Sequence, residues 1–400
     1  MSRVTFEPLE TDSMVLNFGP QHPATHGTLR IILELEGETI TGSTPEIGYL
    51  HSGFEKLGED LDYNQYITIT DRMNYLSPLC NNVAYALTAE KLIGLEVSKR
   101  TEHIRVLMCE LSRIADHLLN VGMLAVDLGA MTAFLYGFRV REDIYDLFEA
   151  ATGTRLTTSY TLVGGLIRDL PEGFDKEVLR VLEEVDEVTD DIETLLNKNK
   201  IWLDRTKEIG VISKEDVYSY GISGPMARAA GIEWDLRLKE PYSSYEDFDF
   251  DLVIALNGDV FDRYLVRMEE IRQSIKICRQ ALEKMPAGEV NVDPDLGFSL
   301  PSKDEVYNSI EGLIYHFEVT MPNRGMTPPV GEAYVPTESP NGELGFYIVS
   351  DGTRTPYRVR TRPPSLINYS IFSKLAKGHM LSDVPAILGS INIIAGELDR

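Results

Sequence analysis

The spacing of apolar residues divides this chain into three parts. Short apolar runs at residues 14–18 and 29–35 predict two strands of a hairpin near the N-terminus. From residue 77 onward, apolar residues recur at the spacing of helices. Two more short runs, at 343–350 and 357–361, are separated by the turn signal Asp351-Gly352 and predict a second β hairpin.

The middle of the chain is predicted to be mainly helical. Predicted helices cover residues 77–94, 99–124 and 130–152, a fourth follows Pro171, and a fifth runs from Asn257 to Pro286. In the second of these, one face is apolar and consists of Ile104, Leu107, Leu111, Ile114 and Leu118. Its other face carries charged residues at spacings that allow ion pairs, namely Arg105, Glu110, Arg113 and His117.

These patterns predict an α+β fold in which a central helical bundle lies between N-terminal and C-terminal antiparallel β hairpins. Residues 1–400 are expected to form a single composite domain, since no repeat or linker divides the chain. Within it, residues 1–50 form the N-terminal β region, residues 51–330 the mainly helical bundle, and residues 331–400 the C-terminal β hairpin and tail.

The acidic balance of the chain narrows its possible partners. The 400 residues carry a formal net charge of -25 at pH 7, which a phosphate backbone or an anionic membrane surface would repel. We therefore expect no nucleic-acid partner. The acidic face of the helix that follows Pro171 is interpreted as solvated surface rather than as a cation site.

Cysteine usage and hydropathy indicate the compartment. Cys80, Cys109 and Cys278 form no Cys-x-x-Cys pair, so the chain alone is predicted to hold no metal and to carry no structural disulfide. No apolar run approaches the roughly 20 residues of a membrane span. We expect a soluble, cytoplasmic protein that associates with a membrane only through partners.

Two histidines, His22 and His26, lie in a loop that is rich in glycine and proline, Gly19-Pro20-Gln21-His22-Pro23-Ala24-Thr25-His26-Gly27. Because this segment lies between the two N-terminal strands, it is predicted to be a hairpin tip that projects both imidazoles away from the sheet. Stiff loops of this kind often carry binding or catalytic residues. The alternative is that one or both histidines only satisfy carbonyl groups of the loop.

Several motifs, taken in their order along the chain, resemble the 49 kDa subunit (the D subunit) of respiratory complex I, an NADH-quinone oxidoreductase. The resemblance runs nearly end to end, and the motifs are specific in combination although each alone is weak. They are the histidine loop 19–27, IGYLHSGFEK at 47–56, RMNY at 72–75, DLGA at 127–130, GDVFDR at 258–263, PTES at 336–339 and GELG at 342–345.

That family is homologous to the large subunit of nickel-iron hydrogenases, whose metal is held by two Cys-x-x-Cys pairs. This chain has neither pair, and its last residues, Gly396-Glu397-Leu398-Asp399-Arg400, contain no cysteine. The resemblance therefore implies a fold like that of a hydrogenase large subunit, with a former metal pocket that holds no metal.

The resemblance also implies a quinone-reduction chamber, formed together with a neighbouring subunit that carries a four-iron four-sulfur cluster. It makes Tyr75 and His26 ligands of the quinone headgroup, adds His22 to the quinone site, and pairs Asp127 with His26. Quinone reduction takes two electrons and two protons, and a phenol or an imidazolium can supply a proton near neutral pH. On the residues alone, Asp127 is equally a helix-terminal cap before Gly129.

Two further positions concern the partner's cluster. Arg72 resembles the family's arginine near the terminal cluster, where a fixed cation favours the reduced form; on its own it is equally a member of a buried ion pair. Thr157 stands where many members carry a histidine, and threonine does not titrate near neutrality. The implied quinone is menaquinone or ubiquinone, and Thr157 is compatible with the lower-potential menaquinone. Asn341 also departs from the family, which commonly has arginine or lysine before Gly342.

Two functions of different classes stay open. The first is a peripheral-arm subunit of a proton-pumping NADH-quinone oxidoreductase, on the cytoplasmic side of the cell membrane, that contacts the iron–sulfur subunit and other peripheral-arm and membrane-arm subunits. The second is a non-catalytic, hydrogenase-derived scaffold in a related redox complex that uses ferredoxin or another donor. His26, Tyr75 and Asp127 together favour the first, because a scaffold needs no titratable set.

Overall fold

Three antiparallel strands form the N-terminal sheet of the computed structural model, which describes residues 13–292, 300–321 and 326–400. The strands β1 (Ser13–Phe18), β2 (Arg30–Glu36) and β3 (Thr39–Glu46) lie side by side in that order. Alternate residues of β2 face the core, as the pleat requires. Because β1 and β2 pair as a hairpin, the prediction that the histidine loop is a hairpin tip is confirmed.

Helices fill the middle of the chain, with the two-residue strands β4 (Thr161–Leu162) and β5 (Gly165–Leu166) among them. The first six helices are α1 (Phe54–Asp60), α2 (Tyr63–Met73), α3 (Pro78–Ile93), α4 (Lys99–Asp127), α5 (Met131–Thr152) and α6 (Phe174–Leu196). Seven more follow: α7 (Lys200–Thr206), α8 (Lys214–Tyr220), α9 (Pro225–Ala229), α10 (Leu236–Lys239), α11 (Val260–Glu283), α12 (Lys303–Asn308) and α13 (Ile310–Thr320). The five predicted helices correspond to α3, α4, α5, α6 and α11, and all five are confirmed.

Helix α4 is buried along most of its length and packs against α5 and α11. Ser98 caps its N-terminus by accepting a hydrogen bond from the Thr101 backbone N–H at 3.2 Å. The predicted apolar stripe is buried, and of the ion pairs expected within the other face the structure forms the one between Glu110 and Arg113. Arg105 and His117 instead contact Glu90 of α3 and Glu270 of α11. These side chains are buried too, because α3, α11 and Glu338 of β6 contact that face.

The C-terminal sheet has three antiparallel strands, β6 (Gly331–Ser339), β7 (Gly342–Ser350) and β8 (Arg358–Arg362). The predicted hairpin corresponds to β7 and β8 and is confirmed. Strand β6, which pairs with the other side of β7, was not predicted. It contains Pro336, which interrupts a strand pattern but is tolerated at the edge of a sheet, where its missing N–H faces away from the neighbouring strand.

The segment predicted as a C-terminal tail is helical. It forms α14 (Pro364–Tyr369), α15 (Phe372–Ala376), α16 (Val384–Ile391) and α17 (Ala395–Asp399). These helices pack against the N-terminal sheet in one apolar cluster that contains Ile31, Leu33, Phe372 and Ile387. The two ends of the chain therefore share a core, beside a second core around α4, α5, α6 and α11.

The three cysteines are buried and free. Across residues 13–292, 300–321 and 326–400 there is no group of three or more metal-ligating side chains, and no helix is long and apolar enough to span a bilayer.

Candidate functional site

A cavity of about 240 Å³ lies where the histidine loop, the turn after α2, the C-terminal end of α4 and the segment around residues 389–394 meet. Its apolar lining includes Leu119, Met123 and Ile393. Its polar lining consists of His26, Tyr75, Asn120, Asp127 and Asn392. Three of the residues predicted from the sequence, His26, Tyr75 and Asp127, thus converge on one cavity although they are far apart in the chain.

The histidine loop is held by its own hydrogen bonds. A short turn at Pro23–Thr25 is closed by the His26 backbone N–H, which donates to the carbonyl of Pro23 at 3.1 Å. The Thr25 hydroxyl donates to the carbonyls of His22 at 2.8 Å and Pro20 at 3.1 Å. Gly19 has a φ of +81°, and a Cβ there would approach the Leu29 carbonyl oxygen to 2.3 Å, so this position requires glycine.

The two histidines have different roles in this loop. His22 accepts a hydrogen bond from the Ala24 backbone N–H at 3.2 Å and packs on Phe18, with ring centroids 4.2 Å apart. His22 lines a neighbouring open groove and is not part of the cavity lining, contrary to its expected place in the quinone site. The His22 ring nitrogen therefore satisfies a backbone group of the loop, as the alternative interpretation expected. The group is the Ala24 N–H and not a carbonyl.

His26 stands at the mouth of the cavity, with its side chain exposed on one side. The surrounding protein displaces water from the imidazole, which lowers the pKa of His26 below its usual value. The ring is therefore mainly neutral near pH 7. In the described part of the chain no ion pair joins His26 to Asp127, so the expected charged pair between these two residues is not formed.

Tyr75 is positioned by the turn that ends α2. The Asn74 side-chain oxygen accepts hydrogen bonds from the backbone N–H groups of Leu76 and Ser77, both at 3.1 Å. Tyr75 itself is half-buried, and within the described residues its hydroxyl makes no hydrogen bond, which leaves it available to a ligand. Burial raises the pKa of the Tyr75 phenol, and the nearby carboxyl groups of Asp116 and Glu397 raise it further. Tyr75 therefore keeps its proton near neutral pH.

Asp127 is the last residue of α4. The C-terminal end of a helix carries partial negative charge, so a carboxylate there does not stabilise the helix. A capping role for Asp127 is therefore wrong. Burial raises the pKa of Asp127, and the positive form of His22 lowers it. The imidazole that acts on this carboxylate is thus the one on His22, four residues before the expected partner.

Sequence reasoning missed the residues behind the cavity. Asn392, which lines it, donates a hydrogen bond to Asp116 at 2.7 Å and another to Asn341. Glu397 and Asp116 are fully buried nearby. The signal for these residues was a few charged or amide side chains within the apolar run 384–398. The helices of this segment are too short to give a periodic pattern, so the sequence does not show where these side chains point.

Arg72 and Thr157 both lie outside the cavity, on two segments that a hydrogen bond to Asp71 joins. The exposed Arg72 guanidinium donates to the Thr68 carbonyl at 2.7 Å and forms an ion pair with Asp71 at 2.9 Å. The Ser159 hydroxyl donates to the other Asp71 oxygen at 2.7 Å, which ties the Thr157 segment to the end of α2. The positive φ of Thr157, 51°, marks a sharp turn in that segment. Arg72 is thus a surface cation rather than a member of a buried pair.

The cavity can therefore hold a small, mostly apolar ring and offer it hydrogen bonds. A phenol O–H, a neutral imidazole and a carboxyl group face it, and each can donate or accept a proton. None of the described residues that line the cavity is a cysteine, so none of them supplies a thiolate. The arrangement suits proton transfer to a polar acceptor on a flat ligand.

Comparison with known proteins defines the class of this chain as a component of an oxidoreductase complex. Residues 127–400 match the family described as "Respiratory-chain NADH dehydrogenase, 49 Kd subunit". The chain is 50% identical over 391 residues to the D subunit of NADH-quinone oxidoreductase from Geotalea uraniireducens, and the match covers 98% of this chain and 99% of the relative. The D subunit of the same enzyme from Geobacter sulfurreducens is 49% identical over 391 residues, with 98% and 99% covered.

A third relative is the C/D subunit of NADH-quinone oxidoreductase from Bdellovibrio bacteriovorus. It is 48% identical over 385 residues, which are 96% of this chain and 68% of that longer protein. The chain belongs to the family of the 49 kDa subunit, or D subunit, of NADH-quinone oxidoreductase, and it is a peripheral-arm subunit of respiratory complex I. The scaffold of a different redox complex is not favoured.

Proposed function

We propose that the cavity binds the headgroup of a quinone and that this chain supplies protons for quinone reduction in the assembled complex. The observation that carries the proposal is the convergence of the free Tyr75 hydroxyl, the His26 imidazole and the Asp127 carboxyl group on one cavity. The relatives are named as subunits of NADH-quinone oxidoreductase. The carbonyl oxygens of a quinone can accept hydrogen bonds and protons from these side chains. The substrate is menaquinone or ubiquinone.

Each side chain has a role that follows from its surroundings. Tyr75 donates a hydrogen bond to one ring carbonyl and gives up its proton when the reduced ring becomes more basic than the phenolate. His26, mainly neutral, orients the other carbonyl through a ring N–H. Asp127 has a raised pKa, so it takes up a proton from water more readily than an exposed aspartate and passes it to the second oxygen.

The surface around Arg72 and Thr157 is proposed to face the neighbouring subunit that carries the four-iron four-sulfur cluster, the source of the electrons. An exposed guanidinium there would favour the reduced cluster. The chain would lie on the cytoplasmic side of the cell membrane, held by other peripheral-arm and membrane-arm subunits. As part of the same proposal, the chain is one composite domain with the architecture of a hydrogenase large subunit, whose metal pocket has become the quinone cavity.

The proposal is tested by Tyr75→Phe in the assembled complex. Loss of one donor should cost about 1 to 3 kcal/mol in the transition state, or roughly a ten- to hundredfold lower rate of quinone reduction. Reduction of the upstream clusters by NADH should be unchanged. Tyr136→Phe is the matched control, because Tyr136 is 41% exposed on α5 and outside the cavity lining. Equal turnover of the two variants with short- and long-chain quinones would remove Tyr75 from the site.

A further inference from the structure

Two amide side chains line the cavity, and their hydrogen bonds decide what they can offer a ligand. Asn120 lies on α4, about two turns before Asp127, and Asn392 follows the last residue of α16. Both residues are part of the cavity lining and are more than nine-tenths buried, with exposed fractions of 5% and 6%. Neither has a role in the proposed proton chemistry.

The amide nitrogen of Asn392 has both of its hydrogens committed. It donates to Asp116 Oδ1 at 2.7 Å and to the side-chain oxygen of Asn341. A primary amide has two N–H donors, so none is left for a ligand. The oxygen of the same amide can only accept, and within the described residues nothing donates to it. Asn392 therefore offers the cavity a hydrogen-bond acceptor and no donor.

The Asn120 amide is oriented by a backbone carbonyl group. Its nitrogen donates to the Gly389 carbonyl oxygen at 2.8 Å, and turning the amide over would place two oxygens against each other. In this orientation Asn120 Oδ1 is buried, and no group in the described part of the chain donates to it. The Asn392 backbone N–H donates to the same Gly389 carbonyl at 3.3 Å. One carbonyl group thus helps to hold both amides in place.

Acceptors without a partner discriminate between the two redox forms of a quinone. Each oxygen of the oxidised form is a carbonyl, which can only accept, so an amide oxygen repels it. Each oxygen of the quinol carries a hydrogen that it can donate to an amide oxygen, while its lone pairs still accept from Tyr75 or His26. A buried acceptor left without a donor costs free energy, and a ligand hydroxyl removes that cost. These amides therefore favour a ligand that carries hydroxyl groups.

We propose that Asn392 and Asn120 recognise the quinol by accepting hydrogen bonds from its hydroxyl groups, a proposal that rests on the proposed function of the cavity. Tyr75 and His26 offer donors to the quinone that enters, and the two amides offer acceptors to the quinol that forms. Tighter binding of the quinol makes reduction in the cavity more favourable. Each tenfold preference raises the midpoint potential of the bound two-electron couple by about 30 mV. The amides set specificity and transfer no proton.

The test compares the two forms of one short-chain quinone on the assembled complex. Each form competes with a photoreactive quinone, without oxygen and without NADH, and its dissociation constant is obtained from the loss of labelling. The measured quantity is the dissociation constant of the quinone divided by that of the quinol. Since a neutral hydrogen bond is worth roughly a three- to tenfold change in binding, removal of either acceptor should lower this ratio by that factor.

The variants are chosen to remove an acceptor with little strain. Asn120→Leu replaces the amide by an apolar group of similar size. At the other position Asn392→Gly is used, because Asn392 has a φ of 59°, which glycine adopts readily. Met123→Leu is the matched control, since Met123 lines the same cavity from α4 and carries no amide. It should change both dissociation constants by the same factor and leave their ratio unchanged.

The ratio separates recognition of the hydroxyl group from general damage to the cavity, because lost packing weakens both forms together. A wild-type ratio in both asparagine variants, or an equal fall of the ratio in Met123→Leu, would overturn the proposal. If both forms compete and the asparagine variants do not move the ratio, the cavity is the quinone site and the role of the amides alone fails. If neither form removes label from the cavity peptides, the proposed function itself fails.

Discussion

At the scale of single residues, the protonation of Asp127 in the cavity depends on which of the two histidines acts on it. The family resemblance paired Asp127 with His26, and a spacing of four residues in a loop could not decide between the two histidines. In the structure, His26 has a left-handed backbone, with φ 54°, and its side chain lines the cavity, while the positive form of His22 is the one that lowers the pKa of Asp127. The convergence of His26, Tyr75 and Asp127 on one cavity could be predicted, but the place of His22 outside it and its effect on Asp127 could not.

This pairing predicts different effects for the two histidines. His22→Gln removes the imidazole whose positive form lowers the pKa of Asp127, so that pKa should rise. If the protonated form of Asp127 delivers a proton, the alkaline limb set by Asp127 moves to higher pH. His26→Gln should lower the rate without moving that limb. The measurement is the pH dependence of quinone reduction at saturating quinone, with Asp127→Asn identifying the limb. A shift in His26→Gln alone would restore the original pairing.

At the scale of elements, long helices could be predicted and short packed ones could not. Helix α4 repeats its apolar stripe over several turns, and its start at Lys99 agrees with the prediction. The helices α15 and α17 have five residues each, too few for a periodic pattern, and they exist because they pack on the sheet and on α2. The cavity wall formed by residues 389–394 was therefore not foreseeable from the pattern.

The close fit of α17 to α2 gives a prediction for this element. Gly396→Ala should destabilise the chain by about 1 to 3 kcal/mol, since the new Cβ meets two backbone carbonyl oxygens that cannot move independently. It should also slow quinone reduction, because the Tyr75 turn would shift. Urea unfolding of the full-length chain and the activity of the assembled complex are the two measurements.

Gly137→Ala, in α5, is the matched control. Its nearest neighbour would be the Leu118 carbonyl oxygen at 3.5 Å, an ordinary contact, and alanine favours the helix by up to about 1 kcal/mol. Gly396→Ala with the same stability as Gly137→Ala would show that α17 is not held against α2.

At the scale of the whole molecule, a buried network of charges joins the helical bundle to the C-terminal sheet. Glu110 of α4 accepts hydrogen bonds from Arg113, Arg237, Tyr245 and Ser274. Arg228 of α9 bonds Glu270 of α11 at 2.8 Å and Glu338 of β6 at 2.7 Å. The sequence predicted ion pairs on one face of α4, but not that elements distant in the chain would enclose them.

This network makes stability depend on pH. Burial opposes the ionisation of Glu110, but the charges of Arg113 and Arg237 outweigh it and lower the pKa of Glu110 to about 2, from an ordinary 4.5. The contribution of the ionised carboxylate to stability is therefore complete above the ordinary pKa and is lost as the pH falls toward 2.

Glu110→Gln should reduce the free energy of unfolding by about 3 to 5 kcal/mol at pH 7, because it leaves the buried Arg113 guanidinium without its carboxylate partner, whereas Arg237 keeps its ion pair with Asp235. The deficit relative to wild type should shrink as the pH falls below 4.5. Urea unfolding across this pH range measures both effects. The exposed Glu187→Gln on α6 is the control and should change stability by no more than about 0.5 kcal/mol. A deficit that stays constant with pH would mean that the ionised carboxylate is not the source of the stability.

The binding of the quinone headgroup in the cavity at the end of α4 is tested most directly by photolabelling. The assembled complex is labelled with a photoreactive quinone, and the labelled peptides are mapped. Label is expected on residues 119–127 and 389–394, an unmodified quinone should compete it away, and Tyr75→Phe should weaken it. Label confined to another surface, such as the groove beside Trp234, with the cavity peptides unlabelled, would contradict quinone binding in this cavity.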